Sequence, residues 1–322
     1  MNRLKAIDNF LKLNPTTGRY DPVEWRRYIL PAFKYFTLSD VQGIFTIEAA
    51  GTPTRLVSYV QQYSSVNGRD QGLGTPFEVK QLLFEDSTDG TASAAFTVML
   101  KEMGESRLFM NFPVHVRTLC GTGQYPARLR EPYMFFSSHN IQAQFNKITG
   151  GATTMRMYLG GAEYFPWAVP QDNNREKIIS ILKQWKERQK YVWPYWLTPD
   201  ENVSLAANAE ANFDIKVGED GHFEVFTIQA VSTGNFEYEI SEVKTGAMLS
   251  NGRATKTNSL GDARLPTILP ESYLIRAGYR INIKIKDLSG ATNNIYFTMA
   301  GRRINAPLKD IPDLPCAPGA EE

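Results

Sequence analysis

A single offset of 140 residues aligns positions 96–166 with 236–306 without a gap. Pro126, Leu129, Glu131, Tyr133, Ile141, Gly150 and Gly161 recur as Pro266, Leu269, Glu271, Tyr273, Ile281, Gly290 and Gly301. Upstream, Phe96, Asn111 and Gly121 recur as Phe236, Asn251 and Gly261. Alternating apolar positions repeat as well: Phe145, Met155, Met157 and Leu159 match Ile285, Ile295, Phe297 and Met299. A gapless copy of strand-patterned sequence constrains the chain to two versions of one β unit. Without a visible catalytic cluster, that points to a two-domain structural protein rather than an enzyme.

The 322 residues suit two domains of roughly 100 to 150 residues, each with a core. A net charge of +1 with 21% charged residues gives no overall field toward nucleic acid or an acidic membrane. No sequence-specific nucleic-acid partner is expected. The two cysteines, Cys120 and Cys316, indicate neither a disulfide framework nor a zinc site, in keeping with synthesis in a reducing cytoplasm. No apolar signal core opens the sequence and no run of about 18 apolar residues occurs, so neither secretion by a signal peptide nor a membrane span is expected.

Residues 1–37 read as an N-terminal helical arm. Leu4, Ile7 and Leu11 share one helical stripe before Pro15, and a second stretch from Asp21 to Pro31 carries Trp25, Tyr28 and Ile29 as its anchor. Such a short amphipathic segment docks on its own domain, on a neighbouring subunit or on an anionic lipid surface. From residue 38 to 168 the pattern is β. Ile44–Glu48, a stretch around Val57 and Tyr59, Phe77–Phe84, Ala94–Leu100, Leu108–Val116, Ile141–Ile148 and Thr153–Leu159 are the expected strands, separated by turn signals such as Asp89-Gly90 and Gly150-Gly151. Residues 169–196 form a helical linker. Ile178, Ile181, Leu182 and Trp185 recur at helical spacing, followed by Trp193, Pro194, Tyr195 and Trp196, which are expected to pack the connector onto a sheet edge. The second β domain covers 197–305, and the four prolines of 306–322 make an extended tail.

Reactive residues are dispersed. His115, His139 and His222 share no metal-ligand spacing. Cys120 lacks the local signature of a nucleophile. Glu85, Asp86 and Asp89 could serve a glycosidase only if two acids met across a cleft, and they read instead as a solvated acidic turn. Gly72-Leu73-Gly74 and Gly121-Thr122-Gly123 lack the Lys-Ser/Thr of a phosphate loop and read as turns. Arg26-Arg27, Arg302-Arg303, Arg128 and Arg130 read as solvated or ion-paired surface, with phosphate or acidic partners as the alternative. The repeated segments Asn111–Tyr133 and Asn251–Tyr273 read as a shared bend between two sheets. No catalytic, cofactor-binding or metal residue is assigned, and no cofactor is expected.

Two tandem antiparallel sandwiches, a helical connector, terminal arms and an ending such as NNIYFTMAGRRI resemble the double-jelly-roll capsid proteins of bacterial viruses. The resemblance implies an all-β fold of two jelly rolls. It also implies a homotrimer whose six sandwiches form a pseudo-hexagonal capsomer in an icosahedral virion. The implied partners are copies of itself, neighbouring capsomers, penton or minor capsid proteins, and an internal membrane touched by the N-terminal arm. The arms, residues 1–31 and 306–322, are expected to carry contacts between subunits. A cement or tail protein of a tailed phage is the nearest alternative. A carbohydrate-binding module using Trp193 or Trp196 is the alternative of another class.

Overall fold

The computed structural model describes residues 29–36, 44–47, 49–50, 55–60, 75–86, 96–136, 139–165, 173–200, 203–249 and 252–305. The first sandwich contains β1 (Ile29–Tyr35), β2 (Ile44–Ile47), β3 (Arg55–Val60), β4 (Phe77–Asp86), β5 (Phe96–Glu102), β6 (Arg107–Leu108), β7 (Val114–His115), α1 (Val116–Leu119), β8 (Ala127–Phe135), β9 (Asn140–Lys147) and β10 (Thr153–Tyr164). One sheet orders β1-β10-β4-β8 with β2 also on β10, and the other orders β3-β9-β5-β6 with β7 also on β5. From β2 to β5 and again from β7 to β10 the chain switches sheets at every connection, which is the jelly-roll path. Period-two burial fills the space between the sheets: Phe96, Val98 and Leu100, Ile141, Ala143 and Phe145, and Met155, Met157 and Leu159 all point inward.

The helix α2 (Asn173–Gln189) follows. Its Ile178, Leu182 and Trp185 fall one turn apart and pack on Met134, Phe136 and Tyr164 of the first sandwich. The second sandwich then repeats the first with β11 (Val192–Leu197), β12 (Val203–Leu205), β13 (Glu210–Lys216), β14 (His222–Ser232), β15 (Phe236–Glu242), β16 (Ala254–Thr255), α3 (Lys256–Ser259), β17 (Thr267–Ile275), β18 (Arg280–Asp287) and β19 (Asn293–Ile304). Its sheets order β11-β19-β14-β17, with β12 on β19, and β13-β18-β15-β16. From β5 onward, β5 and β15, α1 and α3, β8 and β17, β9 and β18, and β10 and β19 begin and end 140 residues apart.

The repeated residues have physical reasons. At Gly161 a Cβ would lie 1.8 Å from the carbonyl oxygen of Glu78, and at Gly301 1.8 Å from that of Glu224. Both sit beside a register shift between paired strands, where the backbones approach too closely for a side chain. Gly150 and Gly290 adopt φ of +86° and +70° in equivalent turns, a conformation that costs glycine little. Tyr133 donates to Glu102 at 2.6 Å, and Tyr273 donates to Glu242 at 2.8 Å, so one Tyr–Glu hydrogen bond is kept in both copies, buried in the first and partly buried in the second.

Four sequence expectations need correction. The arm does not extend to residue 37, because Ile29–Tyr35 is strand β1, and Val192–Leu197 is not connector but strand β11. Pro31 and Pro194 obscured both strands, yet each strand lies at a sheet edge, where a missing N–H need not break a ladder. The ends of the two repeated segments read as a bend, Ala127–Tyr133 and Thr267–Tyr273, lie inside strands β8 and β17. The strand expected over Leu108–Val116 is broken into β6, β7 and the start of α1, with Pro113 in the break. The helical arm up to residue 28 and the tail 306–322 lie outside the described residues. Among those described, no helix is long and apolar enough to cross a membrane.

Candidate assembly interface

The two sandwiches meet along a seam formed by the β6–α1 segment and β8 on one side and by β11 and β19 on the other. Trp196 donates its backbone N–H to the Phe109 carbonyl at 2.8 Å and accepts from Asn111 at 3.4 Å. The Asn111 amide completes the join, donating to the Thr198 carbonyl at 2.6 Å and accepting from the Thr198 N–H at 2.9 Å. Trp193 Nε1 donates to the Leu108 carbonyl at 3.1 Å, and the Arg107 guanidinium lies 4.7 Å from the Trp193 ring centroid. Thr118 and Thr298 share a buried hydroxyl contact at 3.0 Å. Around these bonds Phe109, Val116, Leu119, Trp193 and Trp196 belong to one apolar cluster that runs through both cores. Burial of that continuous surface makes the two sandwiches one body.

Charge reinforces the seam. Glu131 on β8 accepts from Arg188 of α2 at 2.9 and 3.0 Å and from Arg302 of β19 at 3.1 Å, while Arg302 also donates to Glu224 at 2.7 Å. One buried carboxylate thus ties the first sandwich, the connector and the second sandwich together. Nearby, Glu102 receives Tyr133 and has His139 Nδ1 at 2.7 Å. Burial alone raises its carboxyl pKa, but hydrogen bonds from His139 and Tyr133 with the charges of His139 and Arg107 outweigh burial and hold it below the ordinary value.

The residues weighed for chemistry are placed apart. His115 is buried at the seam, stacks on Tyr296 and accepts the Arg117 N–H at the start of α1. His222, at the start of β14, accepts the Ala277 N–H. Among the described residues no group of three His, Cys, Asp or Glu side chains could hold a metal. Cys120 is fully buried, and burial pushes its thiol far above the range of a reactive cysteine. Glu85 pairs with Arg156, and Asp86 ends β4. Gly121-Thr122-Gly123 forms a turn closed by Thr122 and Tyr125. Arg303 is ion-paired to Asp220. Trp193 and Trp196 are 6% and 5% exposed, which removes them as a sugar platform. Cys316, Asp89, Gly72-Leu73-Gly74 and Arg26-Arg27 lie outside the described residues.

Over the seam lies a cleft of about 580 Å³ floored by Trp196 and Phe226 and edged by Arg128, Arg130 and Ile268. Arg128 and Arg130 form no ion pair among the described residues, and Ile268 is more than half exposed. An apolar floor with a basic rim suits association with another surface. Sequence reading missed the seam's pairing of Asn111 with Thr198 and of Glu131 with Arg188. Repetition had marked Asn111 and Glu131, but repetition reports what both copies share, whereas these first-copy residues join the seam to Thr198, Arg188 and Arg302.

No protein-family model matches the chain, and no curated protein does. Among solved structures, the major capsid protein P2 from bacteriophage PM2 is similar over 85% of this chain and 98% of its own, at 11% identity and a TM-score of 0.35. A triple-jelly-roll protein of an archaeal virus matches over 82% of this chain and 60% of its own, at 10% identity and a TM-score of 0.25. PNGF-II matches over 86% of this chain and 66% of its own, at 9% identity and a TM-score of 0.27. These are likenesses of fold.

Proposed function

We propose that the chain is a virion structural protein, a capsid shell subunit that assembles as a homotrimer into pseudo-hexagonal capsomers of an icosahedral phage. The observation carrying this reading is the seam, which locks two jelly rolls of one strand order into a single block. One such block does not close around an axis, but three of them place six near-equivalent sandwiches around one and tile a surface. Sandwiches shield most strand edges within paired sheets, so crowded neighbours do not join by edge pairing. On this reading its partners are its own copies, neighbouring capsomers and penton or minor capsid proteins, with the N-terminal residues toward an internal membrane.

Native mass spectrometry and negative-stain microscopy of the purified protein test the reading. Trimers with six-lobed outlines are expected, at hundreds of copies per particle when virions are quantified. Monomers at high concentration, or a copy number of a few per particle, would sink it.

A further inference from the structure

The seam inside the chain has two sides, and each side has a counterpart in the other sandwich. Strand β11 supplies one side. Pairing registers define its equivalent: Trp196 lies opposite Ala300 on β19, and Phe33 lies opposite Gly160 on β10, with 160 and 300 equivalent at the offset of 140. Phe33 therefore holds the place of Trp196, and Pro31 that of Pro194. Every residue of β11 is buried, because the first sandwich covers its outer face. On β1 the same places are open: Phe33 is 56% exposed, and Leu30 and Tyr35 are exposed beside it.

The other side of the seam shows the reverse. In the first sandwich, α1 buries Val116, Thr118 and Leu119, and Glu131 on β8 is buried. In the second sandwich the equivalent helix α3 has no buried residue, and Glu271 is exposed. Exposed apolar side chains also lie on this corner, at Met248, Leu265 and Ile268, although their first-copy equivalents Leu108, Tyr125 and Arg128 are exposed as well, so the contrast rests on the helix and the glutamate. The chain thus carries one satisfied seam and both halves of a second one, which the described residues leave uncovered.

From this we infer that the α3–β17 corner of one copy packs on the outer face of β1 of a second copy, reproducing the internal seam between chains. The inference rests on the trimer reading and names the surfaces that close it. A ring follows because each copy offers one corner and one β1 face, which is a heterologous contact that closes when the rotation allows. Exposed aromatic and aliphatic side chains on both faces supply the apolar contact. Where Thr118 meets Thr298 inside the chain, Asn258 of one copy takes the first place and Tyr158 of the next takes the second.

That pair gives the test. In full-length protein carrying Cys316→Ser, the double substitution Asn258→Cys and Tyr158→Cys is oxidised and run on a non-reducing gel. Covalent dimers and closed trimers are expected, and neither from the single-cysteine variants. In parallel, Phe33→Glu should raise the trimer dissociation constant at least about thirtyfold, the effect of a hot-spot residue. Leu56→Glu, an exposed apolar position on β3 in the other sheet, should leave it unchanged. Phe33 is more than half exposed, so the monomer fold should survive, which a thermal melt checks. Trimers that persist in Phe33→Glu and give no cross-link overturn this interface alone and leave the β1 face to some other occupant, such as the chain's own N-terminal residues. Absence of trimers from the unsubstituted protein removes the trimer reading and the interface together.

Discussion

His115 shows how one side chain can be set by its place in the seam. Burial, then the positive charge of Arg117, lowers its pKa from 6.5 to about 4, so it sits neutral against Tyr296. The unfolded chain binds that proton near pH 6.5 and the folded one only near pH 4. Between those values the unfolded state takes up more protons, so stability complete above pH 6.5 is lost as pH falls toward 4, by roughly 3 kcal/mol. His115→Gln should flatten this dependence, read as the change in urea unfolding free energy between pH 7.5 and 4.5. An unchanged slope would mean that His115 does not carry it. The repeated residues differ in kind, since Gly161 and Gly301 answer the same close backbone approach and so were visible as a repeat.

At the scale of elements, equivalent strands have unequal surroundings. Glu131 and Glu271 occupy the same position on β8 and β17, but Glu131 is buried between Arg188 and Arg302 while Glu271 faces solvent. Glu131→Ala removes the buried carboxylate that Arg188 and Arg302 share and should cost about 3 to 5 kcal/mol, whereas Glu271→Ala should stay within about 0.5 kcal/mol in the monomer. Denaturant melts of the two variants measure the contrast, and equal effects would show that the seam is not held by this carboxylate. The same inequality explains the strands that sequence reading missed. In β11 the alternation is lost because both faces are buried, and in β1 apolar residues remain on the uncovered side. A strand buried on both faces has no period of two to read.

For the whole molecule, the seam joins the two sandwiches into one unit. Because β1 begins at Ile29, a truncation that spares this strand removes 1–28, not 1–31. Deleting 1–28 or 306–322 should leave folded trimers that fail to form particles, with sizing and electron microscopy as the measurements. Particles of normal size from both truncations would show that the arms are dispensable for assembly.

The sequence by itself determined the duplication, the all-β texture, the connecting helix and the glycine positions, because local patterning and backbone geometry are written in neighbouring residues and repeat with them. Only the tertiary structure decided that β1 and β11 are strands, that Trp193 and Trp196 are buried rather than displayed, and which member of each equivalent pair is covered. Burial is a property of what packs against a surface, and two copies of one sequence pattern can differ in it completely.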